Sequence, residues 1–113
     1  MASSQVGKLP LEALKVEKMA SEHLCLNLSE RVGWDDFPEY AETLLKILGG
    51  TTISAAESVE LRIWEVSIDG RTISLVFSDY PAMVSLESPS DEGDDVLKDV
   101  EAKLQQLRAD NNT

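Results

Sequence analysis

The sequence predicts an α+β fold, a two-layer sandwich in which two helices cover one face of a mainly antiparallel sheet of four or five strands. Three observations predict it. Apolar residues recur at three- and four-residue steps over 37–48 and again over 96–107. They alternate over 24–28, 64–77 and 84–86, and an Asp69-Gly70 pair joins two of the alternating runs. The resulting order is strand, helix, three strands, helix.

Residues 1–9 carry no periodic pattern and are expected to be a disordered tail; one domain follows over 10–108, then a second short tail over 109–113. Residues 10–20 fit two readings. Leu11, Leu14 and Lys18 have helical spacing, whereas Leu14 and Val16 alternate with Lys15 and Glu17, as in a strand paired with the next segment. From His23 onward, Leu24, Leu26 and Leu28 alternate cleanly and predict a half-buried strand.

Asp36, followed three residues later by Glu39, forms a candidate capping pair for the first helix, and Pro38 is tolerated in a first turn. Phe37, Tyr40, Ala41, Leu44, Ile47 and Leu48 make the apolar stripe of that helix, with Glu39, Glu42 and Lys46 toward water. Gly49 and Gly50 end it, because glycine takes the left-handed conformation of a helix stop.

Asp69-Gly70 suits a type I′ turn, whose twist matches the flanking strands. A two-residue loop there pairs Ile68 with Arg71, Val66 with Ile73, Trp64 with Leu75 and Arg62 with Phe77, and places Trp64, Val66, Ile68, Ile73, Leu75 and Phe77 on one buried face. The apolar parity slips between Ile63 and Trp64, which predicts a bulge there or a second buried patch. After Tyr80-Pro81, Val84 and Leu86 point inward from a third consecutive strand. Residues 88–93 read as a linker, and Val96, Leu97, Val100, Leu104 and Leu107 as the stripe of a final helix with acids at its start.

A single cysteine, Cys25, excludes an intramolecular disulfide or a thiolate zinc site and suits a reducing compartment. No apolar run reaches the length of a membrane span and no secretory pattern opens the chain, so a soluble cytoplasmic protein is expected. The formal charge of −11 repels nucleic-acid phosphates and anionic lipid surfaces, which argues against direct nucleic-acid or membrane binding. It also favours encounter with a basic protein, although solubility alone accounts for such a balance. Residues 87–101 sum to −6 and residues 30–42 to −4, and helices lying side by side would merge these clusters into one negative surface. The candidate partner-binding residues are therefore Trp34, Asp35, Asp36, Glu39, Asp91, Glu92, Asp94 and Asp95.

His23 and Cys25 share a face at strand spacing, which invites a nucleophile–base reading. The phase of Leu24, Leu26 and Leu28 turns that face away from the core, where no third orienting group is evident. The run of acids over 91–95 lacks the ligand alternation and distal Glu of a calcium loop. Phosphate-binding, hydrolase and zinc-peptidase motifs are absent, so neither catalytic residues nor a cofactor nor a metal is assigned.

The order Trp34-Asp35-Asp36-Phe37, Ala41, Leu44-Leu45, Gly49, the Trp64 strand, the Asp69-Gly70 turn, Asp79-Tyr80 and Ser85-Leu86-Glu87 resembles a family of small uncharacterised bacterial proteins. The resemblance spans residues 24–87 and rests on core and turn positions. It implies a shared fold, and no functional residue carries over. The leading functional expectation is a non-catalytic protein-binding module of immunity-like or regulatory type. The alternatives are a nucleic-acid mimic, a small enzyme or metal protein using His23 and Cys25, and a homodimer joined through a sheet edge or Trp34.

Overall fold

The computed structural model describes residues 9–79 and 81–111. Its elements are β1 (Lys15–Lys18), β2 (Leu24–Ser29), α1 (Phe37–Leu48), β3 (Thr51–Glu57), β4 (Leu61–Ile68), β5 (Arg71–Asp79), β6 (Ala82–Glu87) and α2 (Asp91–Asn111). The fold is α+β, and the sheet has six strands rather than four or five, in the order β1-β2-β6-β5-β4-β3 with every neighbouring pair antiparallel. Of the two readings open for residues 10–20, the strand holds: β1 pairs with β2 and sets Val16 opposite Leu26. The strand absent from the predicted order is β3, whose seven residues are all exposed. An edge strand with neither face buried leaves no apolar alternation to read.

The β4–β5 ribbon has the register that the turn dictates. Ile68 faces Arg71, Val66 faces Ile73, Trp64 faces Leu75 and Arg62 faces Phe77, and Asp69 and Gly70 take φ of 55° and 77°. This register runs unbroken from Leu61 to Ile68, so no bulge lies at Ile63–Trp64. The irregularity sits one strand away, between Thr52 and Ser54 of β3. The parity slip reflects instead a half-buried patch on the opposite face, where Ile63 stands across from Val76.

Val66, Ile68, Ile73, Leu75, Phe77, Val84, Leu86, Leu26 and Leu28 form the covered face of the sheet. Both helices pack on it. Phe37 of α1 stacks on Phe77 at 5.3 Å and meets Trp64 edge-on at 5.2 Å, while α2 comes so close to Ile73 that a Cβ on Gly93 would lie 3.2 Å from Ile73 Cδ1. Leu97, Val100 and Leu104 complete the layer from α2. The helices run in opposite directions: α1 begins over Trp64 and Phe77 and ends near Ile68, whereas α2 begins beside Leu24 and reaches Leu11 with Arg108.

The capping of α1 and the start of α2 differ from their sequence reading. Asp36 makes no side-chain capping bond, because its backbone is already helical (ψ −16°) and its N–H donates to Gly33 O in a preceding turn. A side-chain cap needs an extended residue at that point. The segment read as a linker over 88–93 already contains the start of α2, where Ser90 Oγ accepts the Gly93 N–H at 3.0 Å. The stop at Gly49 is as expected, with φ 71° and the Gly50 N–H closing onto Leu45 O at 2.8 Å. At the boundaries, Leu9 is buried and α2 extends to Asn111; residues 1–8, Tyr80, and 112–113 lie outside the described residues.

Candidate functional site

The opposed helix directions decide where the acidic residues fall. The first turn of α1 lies at one end of the sheet and that of α2 at the other, beside the Asp69-Gly70 turn, so the two clusters do not merge into one surface.

At the α1 end, Asp35, Asp36 and Glu39 are exposed. Trp34 is half-buried: it meets Phe77 edge-on at 6.0 Å, the Arg62 guanidinium lies 3.9 Å over its ring, and Arg62 Nη1 donates to its carbonyl at 2.9 Å. Trp34 is thus a rim of the core more than a free anchor. Asp36 and Glu39 line an open cleft of about 390 Å³ with Leu9, Pro10, Arg31 and Tyr40, whose hydroxyl donates to Pro10 O at 2.7 Å. Burial, with the Glu12 charge added, raises the Tyr40 phenol and keeps it neutral.

At the hairpin end, Asp91, Glu92 and Asp95 are exposed, but Asp94 is turned inward. Its Oδ1 accepts the Leu24 N–H at 2.9 Å and its Oδ2 meets His23 Nδ1 at 3.2 Å. The Leu24 bond, helped by Ser88 and His23 against partial burial, holds the Asp94 carboxyl down to about 2. Asp94 therefore fastens the start of α2 to the start of β2. Glu92 pairs with Arg71 at 3.3 Å, and both line a shallow hollow of about 260 Å³ with Asp69, Asp95, Val96 and Asp99. Asp69 and Asp99 are the members that sequence reasoning missed. The register of the hairpin and the helical step from Asp95 to Asp99 were the signals that place them there.

His23 and Cys25 do not form a pair. His23 precedes β2 and its ring engages Asp94 and Asp91 on the helical layer, whereas Cys25 lies on the other face of the sheet, its Sγ 3.6 Å from Asn27 Oδ1. Burial raises the Cys25 thiol, reinforced by the nearby charges of Glu87 and Glu17 and partly opposed by Ser85. Such a thiol is a poor nucleophile. Ligand atoms of His23, Asp91 and Asp94 lie within 4.8 Å of one another. A cation there would face the N–H groups of the α2 terminus and compete for Asp94 oxygens already engaged, so the geometry describes a hydrogen-bonded tether.

The uncovered face of the sheet carries a further set of acids. Reading across the ladder, Glu65, Ser74, Glu87, Cys25 and Glu17 form one row, so the three carboxylates stand on alternate strands, roughly 9–10 Å apart. Glu65 accepts from Ser74 Oγ at 3.0 Å. No helix among the described residues is long and apolar enough to cross a membrane.

These features define a two-layer α+β domain with one covered and one open sheet face and with carboxylates concentrated at both ends. The chain belongs to the family described as protein of unknown function DUF3630, whose profile matches residues 14–106. No curated protein and no solved structure matches it.

Proposed function

We propose that the protein is a non-catalytic, cytoplasmic protein-binding module, immunity-like or regulatory, that covers a basic site on its partner. The observation that carries this reading is the acidic hollow at the hairpin end, where Asp69, Glu92, Asp95 and Asp99 converge and Arg71 is the one cation among the lining residues. Their charges are exposed, with only Glu92 paired among the described residues, to Arg71, and the field of the chain speeds a cationic patch toward them. The Asp94 tether gives this surface a fixed frame. The separation of His23 from Cys25 supports a binding role over nucleophilic catalysis.

Affinity capture with the immobilised protein tests the proposal. At low ionic strength it recovers a basic protein, which is released as salt shortens the Debye length toward about 3 Å near 1 M. Recovery that is indifferent to salt contradicts the reading. Displacement of the captured protein by DNA identifies the acidic surface as a nucleic-acid mimic.

A further inference from the structure

The large apolar side chains left exposed among the described residues gather at one edge of the sheet. Ile53 on β3 is 57% exposed, Val59 in the following turn 88%, and Leu61 at the start of β4 37%. Every residue of β3 is exposed, and β3 ends the strand order, so its outer backbone groups have no ladder partner among the described residues. Edges of this kind are ordinarily guarded by lysine or proline. Thr51–Glu57 contains neither. In a chain of charge −11, the strand itself is also locally neutral: residues 51–56 carry no ionisable side chain, and Glu57 is offset by Arg62, with Nε 3.3 Å from Oε2, while Glu60 lies beyond it in the turn. The irregularity at Ile53 blunts one end of the strand and leaves a regular run from Ser54 to Glu57.

We propose that β3 pairs antiparallel with β3 of a second copy of this chain about a two-fold axis, joining the two sheets into one. The register follows from the ladder. The two-residue turn makes Ile68 and Arg71 a hydrogen-bonded pair, so alternation along β4 assigns Ile63 and Glu65 to bond toward β3. Their partners Ala56 and Ser54 then point inward, and the N–H and C=O of Ala55 and Glu57 point outward. A two-fold axis at Ala56 sets Ala55 of each copy opposite Glu57 of the other, closing about four backbone hydrogen bonds. The exposed Ile53 and Val59 flank this run on either side, so apolar side chains of both copies border the paired strands. A second copy fits this edge better than a basic protein does, because the strand offers a cationic partner no net charge, while the acids at the ends of the sheet do. The dimer stands independently of the acidic hollow.

Sedimentation equilibrium over a concentration series tests it. The expected result is a mass approaching twice the 12.4 kDa of the chain, with association strengthened by salt, which screens the repulsion between two anionic copies. Ala56→Lys sets two ammonium groups on the axis and weakens association at least about tenfold, as like charges at an interface do. Ile53→Ser weakens it less, and unfolding midpoints near wild type confirm that both variants fold. A wild-type mass of 12.4 kDa at every concentration and salt, or an Ala56→Lys variant that associates as well as wild type, overturns the proposal.

Discussion

Replacing Gly93 by alanine sets two effects of opposite sign against each other. Within a helix, alanine is favoured over glycine by up to about 1 kcal/mol. Gly93 occupies the first turn of α2, however, where an added Cβ would lie 2.5 Å from Ser88 Oγ, 3.0 Å from Pro89 Cδ and 3.2 Å from Ile73 Cδ1. None of these atoms yields easily. Ser88 Oγ donates to Ser90 O at 2.7 Å, Pro89 is rigid, and Ile73 is fully buried under the helix. Overpacking of this kind costs about 1–3 kcal/mol, and displacing the Ser88 hydroxyl adds about 0.5–1.5 kcal/mol. The unfavourable side wins, and Gly93→Ala is expected to lose about 1–3 kcal/mol net. In urea, with m of about 1–3 kcal/mol/M, the midpoint falls by on the order of 1 M. Adding Ser88→Ala removes the nearest obstacle and restores part of the loss, so the two substitutions couple. A rise in the midpoint for Gly93→Ala alone would refute the close approach of α2 to the sheet.

Gly70→Ala places a Cβ in open space but at φ 77°, so its cost is purely conformational, about 1–2 kcal/mol, and thermal unfolding reads it directly. Tyr40→Phe deletes the bond to Pro10 O and lowers stability by about 0.5–1.5 kcal/mol; an unchanged denaturation curve would contradict that bond. Asp94 gives a pH signature. Its folded pKa of about 2 lies below the ordinary 3.8, so its stabilisation is present above about pH 4 and is lost as pH falls through about 2. Asp94→Asn flattens the acid limb of a stability–pH curve, and a limb as steep as wild type would dismiss the tether. The raised Cys25 thiol predicts slower alkylation in the native protein than in urea, measured at one pH; equal rates would show that burial does not protect it.

How much of this was legible in the sequence depended on whether local chemistry or long-range pairing set each feature. The β4–β5 ribbon was readable residue by residue, because a two-residue turn leaves one register and the apolar face leaves one orientation. The span of α1 was readable from its stripe and its glycine stop. Its capping was not, since the Gly33 turn brings Asp36 into helical conformation before its side chain can cap. Strand β3 left no pattern because it buries neither face. The candidate acids were visible as composition, but their division between two ends of the sheet depends on α1 crossing from β2 to the far edge while α2 returns the other way. The inward turn of Asp94 required knowing that the Leu24 N–H waits beside it, 70 residues away in the chain.

The proposed recognition surface is tested most directly by neutralising the hollow without disturbing the tether. A Glu92→Gln, Asp95→Asn, Asp99→Asn variant keeps Asp94 and the packed stripe of α2 intact, so its unfolding midpoint should stay close to wild type. Partner capture at low ionic strength, compared side by side, should fall by an order of magnitude or more as the charge pairs are removed. Undiminished capture by a folded triple variant would contradict the assignment of this surface.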